Sequence, residues 1–164
     1  MATLEGLAAA LREAGYAPVG FEGLPPRASG NLGYVGAKDH WGSVGTVALV
    51  RADGLPLEEV EARLEALHQL AEGLHPLAAS LVYRPVAGAP VEVPLGSYAT
   101  LVAVFEGGAT YSLVERLRAL RRGGRGRVLT TCWVVDAPLR KVWDNRGLPY
   151  GLPPGRALLR NALG

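Results

Sequence analysis

The chain has 164 residues, a formal net charge of +2, 49% hydrophobic and 20% charged side chains, a globular balance that excludes a disordered chain and predicts one domain over residues 1–164. No apolar run reaches the roughly 18 residues of a bilayer span, and the start MATLEGLAAALREAGY carries acids and no basic leader, so a cytoplasmic protein without a membrane partner is expected. A single cysteine, Cys132, excludes an internal disulfide and a multi-cysteine metal site.

Thr3 can cap a first helix running to about Glu13, with Gly15 past its end. Tyr16–Glu22 and Leu32–Gly36 read as short strands separated by the turn-rich LPPRASGN. The loop KDHWGS leads into a strand at 44–51 that closes at Asp53-Gly54. Leu57, Val60, Leu64, Leu67, Ala71 and Leu74 recur at helical spacing and predict an amphipathic helix over 57–72, ended by Gly73. Ala79–Val86 reads as a strand, AGAP as a turn, and VEVPLGSYATLVAVF carries a further strand ending at Phe105. Leu113, Leu117 and Leu120 mark a second helix, closed by Gly123-Gly124. A strand over Val128–Val135, a turn at Pro138 and a short strand at Arg140–Trp143 follow. Pro153-Pro154 then introduces a last helix with Leu158, Leu159 and Leu163.

ALVRADGLPLEEVEARLEAL and TLVAVFEGGATYSLVERLRAL align loosely as two copies of one unit: strand, acid, glycine, leucine-matched helix. With a strand after each helix, the succession predicts an α+β fold with a ferredoxin-like βαββαβ core over about 44–136. An N-terminal α-β-β extension and a short C-terminal helix complete it. In that core both helices cover one face of an antiparallel sheet. The alternative is a restriction-nuclease-like α/β core of αβββαβ layout.

The charge is unevenly placed. Residues 1–115 hold 6 basic and 13 acidic side chains (−7); residues 116–164 hold 11 basic and 2 acidic (+9). The first long helix carries Glu58, Glu61, Glu65 and Glu72 along one side, and the second carries arginines away from its leucines. Side by side on one face, the two helices would neutralise each other without a ligand. The competing reading is a phosphate or nucleic-acid surface built from Arg122, Arg125, Arg127, Arg140 and Lys141, although no signature of a nucleic-acid-binding module accompanies them.

If the strands run in the ferredoxin-like order, Asp39, His40, Glu106 and Asp136 converge at one edge of the sheet while Asp53 lies at the far end. Glu106, Asp136 and His40 would then be the catalytic set, and Asp39, Glu106 and Asp136 the ligands of a divalent cation, Mg²⁺ or Mn²⁺. Outside that enzyme alternative no cofactor is expected. Cys132, alternating with Thr130 and Val134 in a strand, reads as a small buried hydrophobe.

The run VEVPLGSYATLVAVFEGGATYSLVERLRAL is similar to a segment of the gyrase-inhibitor-like effector-binding domains through Pro94, Gly96, Tyr98, Ala99 and Gly107. It departs from them where TTCWVVDAPLRKVW lacks the late glutamate and tyrosine. That resemblance implies a fold of two repeats with a cleft between them for a small apolar or cationic ligand. Taken together, the sequence favours a non-catalytic module that binds a small molecule or a protein partner. The partner includes a second copy paired through an exposed face of Leu129, Trp133 and Val135. A metal-dependent hydrolase and nucleic-acid binding are the alternatives. Arginine in place of lysine and few side-chain amides fit a heat-adapted source.

Overall fold

The computed structural model describes residues 3–21, 23–40, 42–76, 80–84, 86–94, 96–124, 127–145 and 154–164. Among them the chain runs through α1 (Thr3–Glu13), β1 (Ala17–Pro18), α2 (Pro26–Ser29), β2 (Leu32–His40) and β3 (Ser43–Arg51). It continues through α3 (Leu57–Leu74), β4 (Ser80–Tyr83), β5 (Val91–Pro94), β6 (Ser97–Phe105) and α4 (Tyr111–Arg118). The last elements are β7 (Arg121–Gly123), β8 (Val128–Asp136), β9 (Lys141–Trp143) and α5 (Arg156–Ala162). The architecture is mixed α+β.

Seven strands form one mixed sheet in the order β1-β2-β3-β6-β8-β7, with β9 also on β8. The first three make an antiparallel meander. From β3 onward the direction stops alternating: β3 pairs parallel with β6, Gly45 opposite Tyr98, and β6 parallel with β8, Leu101 opposite Cys132. The outer edge of β8 is divided between two short antiparallel strands, β7 against Leu129–Thr131 and β9 against Val134–Asp136.

This order corrects the ferredoxin-like expectation. A βαββαβ sheet would hold 44–51 between 98–105 and 128–135, antiparallel to both, and would include 80–83. Here 97–105 is central, its two neighbours run parallel to it, and β4 pairs only with β5 in a separate two-stranded hairpin. Val91–Pro94 is a strand of its own and takes β4 as its partner, so residues 80–83 do not flank β6. The main sheet instead continues from β6 to β8, with β3, β6 and β8 in parallel register.

Parallel strands joined by crossover helices are covered on both faces, so their sequences become continuously apolar. Residues 45–50 of β3 are all buried, and β6 and β8 are buried along almost their whole length. Ala48, Val50, Leu101, Ala103, Cys132 and Val134 face one way and pack with Val60, Leu64, Leu67 and Ala71 of α3 and Val114 and Leu117 of α4. Val47, Leu49, Val102, Val104, Trp133 and Val135 face the other way and pack with Leu4, Leu7 and Leu11 of α1 and Leu159 of α5. The expected exposed pairing face is thus corrected too, since Trp133 and Val135 lie under helices of their own chain. Both long helices do share one face, as expected.

Local chemistry sets the helix ends. Glu58 and Glu59 in the first turn of α3 complement the positive end of its dipole. The Thr110 side chain accepts from the Leu113 amide and starts α4. That helix stops at Arg118, a turn earlier than its leucine spacing suggests, because Arg121–Gly123 leaves it to hydrogen-bond with β8. Gly123 is obligatory there: it sits at φ +75, and a Cβ would overlap the Val128 carbonyl and meet His68 Cε1 at 2.7 Å.

Because Leu101 lies fully buried in the central strand, Leu101→Ala should lower unfolding free energy by about 2–5 kcal/mol in urea denaturation. Leu139→Ala, at a residue 60% exposed, should stay within about 0.5 kcal/mol of the parent. Equal losses at the two positions would contradict the layered core.

Candidate functional site

The parallel triad gives the sheet two chemically different ends. At the tail, where β3, β6 and β8 finish, backbone N–H groups leave the ladder without partners and acidic side chains take them up. Asp53 Oδ1 accepts from the Glu106 amide at 2.9 Å and its Oδ2 from the Gly107 amide at 3.0 Å, tying the loop after β3 to the loop after β6. Asp136, 2% exposed, accepts from the Ala109 amide at 3.1 Å and the Leu139 amide at 3.0 Å, tying the next pair of loops. Glu106 Oε1 accepts a longer 3.4 Å bond from the Leu4 amide.

The expected convergence of Asp39, His40, Glu106 and Asp136 is therefore corrected. Asp39 and His40 pair with Val44 and Ser43, beside the start of β6, whereas Glu106 and Asp136 stand at its finish. Eight residue steps along β6 separate the two groups by about 26 Å at roughly 3.3 Å per residue. Asp53, placed at the far end by the sequence reading, is the acid that meets Glu106. Among the described residues no three His, Cys, Asp or Glu side chains form a metal-binding group, so the set Asp39, Glu106 and Asp136 is not assembled. His40 Nε2 is buried without a hydrogen-bond partner among the described residues, and burial, reinforced by Lys38, pushes its imidazole below the ordinary value.

The head of the sheet, where β6 and β8 begin, holds the basic and imidazole groups. The acidic side of α3 is answered here, though not by α4. Arg122 Nε of β7 meets Glu65 Oε2 at 3.1 Å, and Arg127, just before β8, places Nε and Nη2 at 2.9 and 2.6 Å from Glu72 Oε2. Arg127 holds the Glu72 carboxyl below the usual carboxylate range. His68 joins the group, with Nδ1 2.8 Å from Thr130 Oγ1 and Nε2 3.5 Å from Glu72 Oε1. His75, capping α3, places Nδ1 2.6 Å from Ser97 Oγ, which also accepts from the Val44 amide at 3.0 Å. Glu59, farther up α3, is engaged by Arg27 and Arg63.

Beside this network lies a cleft of about 360 Å³ lined by Gly96, Ser97, Tyr98, Arg121, Gly124, Arg127 and Leu129. By strand alternation Tyr98 and Leu129 share the face of Val102 and Trp133, and Arg121, opposite Thr131, joins them on that face. Arg121 has no carboxylate partner among the described residues. One residue pair up from Leu129, Thr131 Oγ1 is buried and equally unpartnered. The cleft thus combines two guanidinium groups, an aromatic side and an apolar floor.

Of the five residues expected to form a phosphate surface, Arg122 and Arg127 come together at the head and Arg125 lies outside the described residues. Arg140 and Lys141 are elsewhere. Arg140 donates to the Gly164 carbonyl at 3.3 Å, and Lys141 Nζ lies 5.9 Å from the Trp143 ring centroid, near the tail of β8. Gly123 opposite Leu129 and Lys141 opposite Asp136 are seven steps apart, about 23 Å. Sequence reasoning gave Arg121 and Ser97 no site, named Tyr98 only through the effector-binding resemblance, and placed Leu129 on a pairing face and not in a cleft. The signal for Arg121 was Gly123, whose positive φ closes the turn from β7 into β8. The cleft also differs from the one implied by the effector-binding resemblance, because two arginines in the lining disfavour a cationic ligand. Comparison with protein-family models, with curated protein sequences and with solved structures gives no match for this chain.

Cys132 is fully buried and its thiol is pushed up to about 12 by desolvation. A thiol reagent at pH 8 should leave the native protein unlabelled and modify one sulfur after denaturation; fast native labelling would contradict the placement. His40, followed by NMR, should titrate below 6.5, the ordinary imidazole value. A value above it would mean that a carboxylate, and not burial, governs the ring.

Proposed function

We propose that this protein is a non-catalytic binding module that takes a small anionic molecule, a phosphate ester or a free carboxylate with an apolar or aromatic body, in the cleft at the head of the sheet. The observation that carries the reading is Arg121. Its guanidinium borders the cleft without a carboxylate among the described residues, in a region where Arg122 and Arg127 both have one. A cation left unanswered beside a tyrosine and a leucine is suited to an anion with a flat or apolar portion. The volume, about 360 Å³, falls within the range of small-molecule sites, roughly 300–1,000 Å³.

The hydrolase alternative centred on Glu106, Asp136 and His40 has less support. Asp136 and Asp53 already accept two backbone hydrogen bonds each, and His40 belongs to the opposite end. A carboxylate turned to loop amides is poorly placed to activate water. A nucleic-acid surface would need its cations on one face, and Arg140 and Lys141 lie at the other end of β8 from Arg122 and Arg127.

Adenosine monophosphate and inorganic pyrophosphate serve as probes. Saturating either should raise the melting temperature, since 100-fold excess over Kd stabilises by about 2.7 kcal/mol. Leu129→Trp, which fills the cleft floor, should abolish the shift while the variant stays folded by circular dichroism. A shift that survives this substitution would place binding elsewhere.

A further inference from the structure

We infer that Glu72 is a built-in competitor for the cleft's anion: it holds the Arg127 guanidinium on the α3 side until a ligand draws that arginine across. The inference rests on the anion-binding reading and adds how the site is regulated.

Arg127 belongs to both places at once. It lines the cleft, and it donates two hydrogen bonds to one oxygen of Glu72. Its backbone is fixed, because the Ser97 amide donates to the Arg127 carbonyl at 2.9 Å. Its side chain is not fixed, being 68% exposed against 26% for Glu72. A long arginine on an anchored backbone can change partner by rotating its side chain, while the carboxylate stays with its helix. Exposed ion pairs of this kind contribute only about 0–1 kcal/mol, so a phosphate offering its own oxygens can displace one.

Glu72 is also poorly accommodated by its own helix. It lies in the last turn of α3, which carries no basic residue, where the dipole disfavours negative charge. Arg127 is its strongest partner, and the facing imidazoles are His68 at 3.5 Å and, farther off, His75. When Arg127 leaves, Glu72 Oε1 retains His68, so the carboxylate is not stranded. Arg121, without a carboxylate among the described residues, makes the first contact with the ligand, and Arg127 supplies the second arm at the expense of its internal pair.

The test is isothermal titration of inorganic pyrophosphate into the full chain and its variants, each first checked for a cooperative melt. Glu72→Gln should tighten binding up to about fivefold, the equivalent of releasing an exposed pair of about 1 kcal/mol. Glu65→Gln removes the same charge from the same helix, but its partner Arg122 does not line the cleft, so affinity should not change. Arg127→Gln should weaken binding, and adding Glu72→Gln to it should gain nothing. Equal tightening by the two glutamate variants, or a gain that persists without Arg127, overturns the competition. Pyrophosphate binding lost in Leu129→Trp but indifferent to Glu72→Gln sinks the competition alone. Affinity indifferent to Arg121→Gln, Arg127→Gln and Leu129→Trp together sinks the cleft reading itself.

Discussion

The parallel ladder β3–β6–β8 is the constraint on which the rest of this molecule depends. Once Leu101 faces Cys132 on one side and Ala48 on the other in parallel register, each link between these strands has to return across the sheet. The two links carry α3 and α4 and advance in the same direction, which puts both helices on one face. The opposite face is then free for α1 and α5. Two covered faces explain why VGTVALV, TLVAVF and TCWVV contain so few charges. They also leave the two ends of the triad as the places where polar chemistry gathers.

Those ends are used differently. At the tail, the loops after β3, β6 and β8 expose amides, and Asp53 and Asp136 bind them together. These acids act as stitches between loops. Ligand crevices in open parallel sheets arise where successive connections leave in opposite directions; here both crossovers between β3, β6 and β8 move the same way across the sheet. At the head, β7 peels away from the end of α4 and brings Arg122 to Glu65, while the following turn brings Arg127 to Glu72. The cleft is the space left between that turn and the start of β6.

The positions of most elements were legible in the residues. The leucine spacing of α3 and α4 and the apolar strands at 44–51, up to 105 and at 128–135 follow from local propensity and periodicity. The expected glycine stops did not hold, since α3 runs through Gly73 to Leu74 and α4 ends at Arg118, before Gly123. That α3 and α4 share a face, and that the acids of α3 are answered by arginines of the same chain, also followed. Direction was misread through one short segment. VEVP is a strand that pairs with β4 outside the main sheet, and setting residues 80–83 beside β6 in the ferredoxin-like order moved Asp39 and His40 to the wrong end. The continuous burial of β3, β6 and β8 was itself a sign of a sheet covered twice, and it argued against helices on a single face.

Sequence alone determined which segments are apolar, where the two leucine-patterned helices lie, and that acid and base are segregated along the chain, because these are properties of neighbouring residues. Tertiary structure decided which strands are neighbours and in what direction, which arginines meet the carboxylates of α3 and which face of β8 borders a cleft. Local periodicity reports which side of a strand is buried, but it carries no information about the strand's orientation relative to a partner fifty residues away. That orientation is set by which strands pair across the whole chain, and here β4 pairs with β5 while β6 runs parallel between β3 and β8.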